Sequence, residues 1–385
     1  MNILVRKLFQ PIRNPGFTKL FLATLPLLAG ILVVFINPGK LDSGDFFQVA
    51  WNPGRQLLAT GTISAAYAYP VWTAVVMLPF AVWPLHTGMV LWLACNFLMM
   101  AASLALFLEM LDWEISPISF VLVVSLSGLF LPVLTSIWLG QLTIFSLLIL
   151  ALTAHFFLHQ RWTWLGVVLG LSFIKPQILI LLAGLLLMWA LFQRRWKTLL
   201  GFGSVILFLT IISLPFISFP GQIIGGGICT HLDTYIKVTS TLWGLFLSLG
   251  LSWIVPSVIS VALLVWLGWI WLPFLRGKSI SSNRMLFLFS AALLVNLIVV
   301  PYSWMHNLTL MLLPAGYYLT LSLKMNKKGR YAWLVLLFIV MQPLMLGLFL
   351  VLGGPDHTQA YQIIPALVLL PILCILESRT VRLRI

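Results

Sequence analysis

The sequence contains little charge, and acidic side chains are its scarcest charged group. Lysine, arginine, aspartate and glutamate make up 8% of the 385 residues, and only eight side chains are acidic. About 25% is usual for a soluble globular domain, so a water-exposed fold does not suit this composition. The three cysteines, Cys95, Cys229 and Cys374, lie far apart. They form no CxxC pair, so the sequence predicts neither a disulfide framework nor a cysteine-based metal site.

Apolar residues take the place of the missing charge. The hydrophobic share is 61% and the mean hydropathy is +1.09. Long apolar runs follow one another with short polar breaks, and many reach the roughly 20 residues that cross a bilayer as a helix. We therefore predict an all-α polytopic membrane protein with a single integral-membrane domain over residues 1–385.

The apolar runs predict about 12 transmembrane helices. They cover residues 20–36, 88–108, 117–137, 140–158, 163–174, 176–192, 198–218, 251–272, 285–302, 308–323, 331–352 and 361–376. A further stretch, 71–85, is short for a span and contains Pro79 and Pro84. Such a segment is more typical of a re-entrant or interfacial helix.

The positions of the basic residues determine the predicted topology. If 71–85 does not cross and the N-terminus is cytoplasmic, all but four of the 22 lysines and arginines fall on the cytoplasmic side. The positive-inside rule favours this arrangement. We predict a cell-membrane protein with both termini cytoplasmic and a first extracytoplasmic loop, 37–87, that contains juxtamembrane helices. The net charge of +14 then faces membrane lipid in short loops, and we expect no nucleic-acid partner. The four outer basic residues are Lys40, Arg55, Lys175 and Lys237.

Two acids, Asp42 and Asp45, open the first outer loop in "LDSGDFFQ". Asp45 fits a helix N-cap or a general base that takes a proton from a hydroxyl. Asp42 fits a cap or a charge at the rim of the site.

Lys175 stands in an otherwise uncharged stretch of some thirty residues. Its ammonium either snorkels to the interface or binds a phosphate as a point charge. Gln141 either marks the interface or offers an amide to a sugar or phosphate.

Further candidates lie in two other outer segments. "PYSWMHN" (301–307) contains Trp304 and His306; this histidine is either part of an aromatic belt or a hydrogen-bond donor to phosphate. The Gly-rich segment 225–237 contains His231 and Lys237 and can shape a substrate cleft. No full set of metal ligands is evident, and we expect neither a metal nor a cofactor.

The ordered set of these motifs resembles glycosyltransferase family 87, the polyprenol-phosphate-mannose-dependent mannosyltransferases of the glycosyltransferase-C superfamily. The similar stretches are "GDFF", "LLATG", "YAYP", "WLGQLTIFSLLIL", "WLGVVLGLSFIKPQILIL" and "PYSWMHNLTLMLLP". They cover roughly residues 40–320. A second proline usually follows "YP" in the family, and Val71 stands there in this chain.

The resemblance implies a glycosyltransferase-C fold and an inverting transfer on the outer face. The donor is a polyprenyl-phosphate sugar, with mannose the expected sugar, and the acceptor is a glycolipid or glycan hydroxyl. Asp45 corresponds to the family's base and His306 to its phosphate contact. Tyr69, in "YAYP", and Trp304 are further expected substrate contacts.

In the resulting hypothesis Lys175 and His306 hold the donor phosphate. Arg55, Gln141, Lys237 and His231 are expected to assist in binding. A transporter or flippase of lipid-linked glycans is the alternative, but such folds usually have broken helices in paired positions. This sequence has one such break, at Lys175–Pro176. A non-catalytic scaffold would leave the outer motifs without a role.

Overall fold

The computed structural model describes residues 44–64, 67–113, 116–218, 235–323 and 359–382, together with a few isolated positions. Every regular element within these ranges is helical, as the sequence predicts. The α-helices described are α1 Asn52–Thr60, α2 Val71–Ala81, α3 Leu85–Met110, α4 Pro117–Gly128, α5 Leu131–Trp138, α6 Thr143–Leu158, α7 Trp162–Leu171, α8 Ile180–Phe192, α9 Trp196–Ser213, α10 Leu242–Ser248, α11 Ile254–Leu275, α12 Ser282–Val299, α13 Leu312–Leu323 and α14 Ile364–Arg382.

Five of the described helices are long and apolar enough to cross a membrane. They are Leu85–Met110, Trp196–Phe216, Ile254–Leu275, Ser282–Val299 and Ala360–Ser378. These helices support a polytopic membrane protein. The predicted number of twelve is not confirmed, because several other predicted spans form shorter apolar helices. The predicted spans 20–36 and 331–352 lie outside the described residues.

The predicted span 117–137 is not a single straight helix. It forms α4 and α5, which are bent by 74° relative to each other. Phe130 adopts an extended conformation between them, and Pro132 begins the second helix. A proline has no N–H for the preceding turn and disfavours helical backbone just before it. The bend turns the segment after Trp138 back into the protein, towards the site.

The stretch 71–85 forms an eleven-residue helix, α2. Eleven residues give about 16 Å of helix, roughly half of the hydrocarbon thickness. This length agrees with the prediction that the stretch does not cross. Val71, Ala74, Met77 and Ala81 are buried, so α2 packs within the protein rather than lying freely on its surface.

Helix α12 forms the centre of the described core. Every residue from Met285 to Val299 is buried. Helices α8, α11, α13 and α14 pack around it. A second close pairing joins α7 and α9, where a Cβ on Gly166 would lie 2.0 Å from the carbonyl oxygen of Thr198. Small residues permit such backbone contact between membrane helices. These packings fix the chain break between α7 and α8, which contains Lys175.

Candidate active site

A cavity of about 500 Å³ opens where five separate segments of the chain meet. This size is typical of small-molecule sites. Its lining mixes amide, aromatic and ionisable side chains. The lining residues are Asp45, Gln48, Val49, Asn52, Pro53, Gln56, Ile63, Ser64, Tyr67, Ala68, Tyr69, Leu139, Gln141, Tyr235, Tyr302, Trp304, His306 and Gln359.

Asp45 lies at the wall of this cavity, immediately before a π-helical segment, Phe46–Trp51. Its side chain makes no capping hydrogen bond to that segment, so the structure does not use it as an N-cap. The carboxylate instead accepts a hydrogen bond from Nε2 of Gln141. The backbone N–H of Phe46 donates to the carbonyl of Leu139 at 2.8 Å. Side chain and backbone together join the segment around Asp45 to the "WLGQ" turn.

Gly140 makes this junction sterically feasible. Its φ is +66°, and a Cβ at this position would lie 2.6 Å from Cβ of Phe46. Only glycine adopts such a conformation without cost and permits so close an approach. Nε1 of Trp92 donates to the Gly140 carbonyl at 2.7 Å, which fixes the turn from the other side. Gln141 is thereby held against Asp45.

Lys175 lies directly behind Gln141 and is 2% exposed. Its Nζ donates to Oε1 of Gln141 at 2.9 Å, to Oγ1 of Thr143 at 3.1 Å and to Oδ1 of Asn307 at 3.1 Å. An ammonium has three N–H donors, so all three are used. Lys175 is not among the cavity-lining residues. The structure therefore places its charge behind the cavity wall, in contact with the site through Gln141.

The backbone around Lys175 is broken between two short 3₁₀ turns, Ser172–Ile174 and Pro176–Ile178. Such a break leaves carbonyl groups without helical partners. On one side α2 supplies the donors: Nε1 of Trp72 bonds to the Phe173 carbonyl at 2.9 Å, and Oγ1 of Thr73 bonds to the Ile174 carbonyl at 2.8 Å. Helix α2 thus has a structural function, which is to hold the loop that contains Lys175.

On the other side Asn296 of α12 performs the same function. Its Nδ2 donates to the carbonyl of Ile178 at 2.7 Å, and its Oδ1 accepts from the N–H of Leu181 at 3.1 Å. One buried amide therefore satisfies both a carbonyl of the break and a free N–H at the start of α8. Non-helical backbone at membrane depth requires this kind of internal partner.

His306 lies in the 3₁₀ segment Met305–Met311 and lines the cavity. Its backbone carbonyl accepts a hydrogen bond from Oγ of Ser136 at 3.0 Å. Its Nε2 is buried and has no hydrogen-bond partner among the described residues. Burial, together with the charge of Lys175, holds the pKa of His306 well below its ordinary value. The ring is therefore neutral, and one of its nitrogens is buried without a partner among the described residues.

Burial also changes the pKa of the acidic residue in the site, Asp45. It raises the pKa of Asp45 above its ordinary value, and the positive charge of Lys175 partly opposes that rise. Burial and the neighbouring Asp45 charge raise the pKa of Tyr69 as well. The site thus contains a carboxylate of increased basicity beside a phenol that stays protonated and can donate to an oxygen.

Aromatic rings form the outer part of the cavity. The ring centroid of Trp304 lies 5.9 Å from that of Tyr302 and 5.9 Å from that of Tyr235. On the opposite side Tyr69 packs 6.0 Å from Tyr67. Aromatic faces and polar edges are suited to the apolar faces and hydroxyls of a sugar.

Besides Lys175, two further candidates from the sequence lie away from the cavity lining. Arg55 donates from Nη2 to the carbonyl of Trp83 at 3.0 Å, and its guanidinium lies 5.1 Å from the centre of the Trp51 ring. Lys237 is exposed on the turn Ile236–Val238. His231 lies outside the described residues. Asp45, Gln141, His306, Tyr69 and Trp304 all line the cavity.

Sequence reasoning did not assign Thr143, Asn296 or Asn307 a function in the site. Each had a detectable signal. Thr143 follows Gln141 by two residues, Asn307 follows His306, and Asn296 interrupts the apolar run "AALLVNLIVV". A polar side chain inside an apolar span is costly unless it has a partner, and all three here stabilise the break or its lysine.

Comparison with known proteins completes this description. The model of glycosyltransferase family 87 matches residues 67–295, which include Tyr69, Gln141 and Lys175. Asp45 and His306 lie just outside that range. Neither the curated proteins nor the solved structures give a match. Because the matched region covers more than half of the chain, and agrees with the motifs in the sequence, the chain belongs to glycosyltransferase family 87 and is a glycosyltransferase.

Proposed function

We propose that this glycosyltransferase moves mannose from a polyprenyl-phosphate donor to a hydroxyl of a glycolipid or glycan acceptor. The reaction takes place on the extracytoplasmic face, inverts the anomeric centre and uses Asp45 as general base. One observation supports this most directly: the Asp45 carboxylate lines a cavity of sugar-binding character and is hydrogen-bonded by Gln141.

Asp45 is suited to the base role by both geometry and basicity. Gln141 bonds to Oδ2, so Oδ1 remains to accept the proton of the acceptor hydroxyl. Burial raises the pKa of this carboxyl, and a base is most effective when its pKa lies near the working pH. The hydroxyl then attacks the anomeric carbon from the face opposite the phosphate.

The donor phosphate leaves as an anion, so its departure requires donors aimed at the developing charge. His306 lines the cavity and supplies one such donor in the tautomer that carries the proton on Nε2. Lys237, two residues after the cavity residue Tyr235, adds positive charge at the rim, and His231 belongs to the same segment. We assign Lys175 an indirect function, since its three donors bind Gln141, Thr143 and Asn307.

A lipid-linked donor fits the surroundings of the site. Helix α9 exposes large apolar side chains along its length, among them Leu200, Leu207, Phe208 and Ile211. In a bilayer these side chains contact acyl chains, and a polyprenyl tail can lie in the same medium. The positive-inside distribution of lysine and arginine supports a cavity outside the cytoplasm.

The test compares Asp45→Asn with Asp42→Asn, the neighbouring acid in the sequence. Purified proteins in liposomes receive radiolabelled polyprenyl-phosphate mannose and a glycolipid extract, and the labelled glycolipid is quantified. Asp45→Asn is expected to lower transfer by about 10²–10⁴-fold, the usual contribution of a general base, while donor binding persists. Asp42→Asn is expected to keep normal transfer.

Normal transfer by Asp45→Asn overturns the assignment of the base, and loss confined to Asp42→Asn moves the function to that residue. A wild-type protein that transfers a different polyprenyl-phosphate sugar but not mannose contradicts the sugar assignment alone. Wild-type protein that redistributes the donor between leaflets without forming product points to the flippase instead.

A further inference from the structure

Three metal-ligating side chains meet at the far ends of helices α3 and α6. Glu109 is in the last turn of α3, His155 is in the last turn of α6, and His159 follows that helix directly. The two histidines are four residues apart, so they share one helical face. Thr143, at the start of α6, contacts Lys175; His155 lies twelve residues further on, about 18 Å along the helix. The cluster is therefore remote from the cavity.

The ligand atoms of these three residues all lie within 4.8 Å of one another. Nδ1 of His155 is 3.7 Å from Oε2 of Glu109, and Nε2 of His159 is 3.8 Å from Oε1 of the same carboxylate. These separations exceed hydrogen-bond length. Four ligand atoms around Zn²⁺, at about 2.0–2.1 Å from the metal, are about 3.3 Å apart in a tetrahedron. Small side-chain rotations bring the observed atoms to that spacing.

Each histidine ring has one nitrogen that is free to act as a metal ligand. Nδ1 of His159 lies 2.9 Å from the carbonyl oxygen of His155. A carbonyl accepts only, so Nδ1 carries the proton, and Nε2 of the neutral ring offers its lone pair towards Glu109. Nδ1 of His155 is buried and has no hydrogen-bond partner among the described residues. Metal-ligating histidines are commonly oriented through a backbone carbonyl in this way.

We propose that Glu109, His155 and His159 bind a divalent transition-metal ion of the Zn²⁺ class. The ligands are a carboxylate oxygen, Nδ1 of His155 and Nε2 of His159, and water fills the fourth position. Two imidazoles and one carboxylate suit Zn²⁺ and exclude Mg²⁺ or Ca²⁺, which prefer oxygen ligands. The ion joins the ends of α3 and α6 on the side that the sequence predicts to be cytoplasmic. This site is distinct from the transferase cavity, and the sequence alone did not predict it.

The competing explanation is a pair of protonated histidines beside a carboxylate. Partly exposed ion pairs of this kind contribute only about 0–1 kcal/mol, whereas a bound metal adds stability that grows with metal concentration. Metal titration therefore separates the two explanations without any measurement of transfer.

The experiment uses the full chain, purified without a histidine tag and stripped with chelator. Co²⁺ is titrated while its visible absorption is recorded, and Zn²⁺ is titrated by calorimetry. His159→Ala and Glu109→Gln remove single ligands. His86→Ala is the matched control, since His86 is an exposed histidine at the opposite end of α3.

Wild type and His86→Ala are expected to bind one equivalent of Co²⁺ with the intense bands of low coordination. Affinity is expected to fall at least about tenfold in His159→Ala and Glu109→Gln, following the loss of one ligand bond. Zn²⁺ is expected to raise the thermal unfolding midpoint only in wild type and the control. Binding equal in all four proteins, or none in wild type, overturns the proposal and leaves an ion pair only.

Discussion

Replacement of Lys175 by methionine provides a sharp test of how the site works. Methionine keeps the unbranched apolar stem of lysine and removes the ammonium. The amide of Gln141 then loses its donor at Oε1, and Thr143 and Asn307 lose theirs. The larger consequence concerns Asp45, because the charge that opposes the burial-induced rise of its pKa disappears.

The size of this effect follows from the arrangement of the groups. One amide, that of Gln141, separates the ammonium of Lys175 from the carboxylate of Asp45. At an effective dielectric constant of about 20, opposite charges this close interact by on the order of a few kcal/mol. The charged form of Asp45 loses that stabilisation, and its pKa rises further. Since the proposed base acts as the carboxylate, activity is present above this pKa and is lost as the pH falls through it.

The expected result is a displaced pH profile. In liposomes containing Lys175→Met, the acid limb of kcat/KM is expected to move to higher pH. At a fixed pH on that limb, transfer falls by about tenfold for each pH unit of displacement and recovers as the pH is raised. Thr143→Val is the matched control, since it removes one of the three acceptors and keeps the ammonium. Its pH profile is expected to stay close to that of wild type.

A different outcome would assign Lys175 a different function. If the pH profile of Lys175→Met superimposes on that of wild type while the KM for the donor rises, the lysine binds the phosphate directly. Thermal unfolding of each variant in detergent shows whether the protein remains folded, and rates are compared only between folded proteins. Superimposed profiles therefore refute the indirect function.

Two stability predictions follow from single contacts elsewhere in the described structure. Gly140→Ala is expected to lower stability by about 1–3 kcal/mol, because φ is +66° and the new Cβ would lie 2.6 Å from Phe46. Gly184→Ala is the control, since a Cβ there has no neighbour within 4 Å. This control is expected to raise stability by up to about 1 kcal/mol. Tyr317→Phe removes a 2.6 Å hydrogen bond to buried Glu377 and is expected to cost about 1–2 kcal/mol. Unfolding midpoints in detergent test both, and an unchanged midpoint for Gly140→Ala or Tyr317→Phe contradicts the corresponding argument.

Much of the cavity could be predicted because polar side chains are rare in this chain. Placing a charge or amide among apolar spans is costly, so each one is informative. Asp45, Gln141 and His306 come from three distant segments, and all three line one cavity. The ordered motifs identified the family, and the match over residues 67–295 agrees with them.

The orientation of individual side chains could not be predicted in the same way. Arg55 follows Asp45 by ten residues and carries the expected charge, but its guanidinium lies against Trp51 and bonds to the Trp83 carbonyl. Which face of a short helix turns towards a cavity depends on the packing of α1 against α2. That packing involves contacts between residues that are distant in sequence, and hydropathy does not report it.

Of the two helix breaks discussed above, the sequence predicted the one at Lys175 and missed the one between α4 and α5. The break at Lys175 was detectable because a charge and a proline coincide in "FIKPQ". The 74° bend between α4 and α5 lies in an uncharged run, "SLSGLFLP", where Pro132 is the main signal. A single proline is tolerated in many membrane helices, so its presence did not indicate that the span would divide.

The separation of two buried charges by one amide has a physical rationale. Direct contact with Lys175 would stabilise the carboxylate of Asp45 strongly and make it a poor base. Complete separation would leave a buried ammonium without any opposite charge nearby, which is costlier still. Gln141 gives the intermediate case: its oxygen accepts from the lysine and its NH₂ group donates to the aspartate. The two charges also fix the orientation of the amide, since the reversed arrangement would point NH₂ at the ammonium and oxygen at the carboxylate. A carboxylate that remains ionised yet basic is what the proposed proton transfer requires.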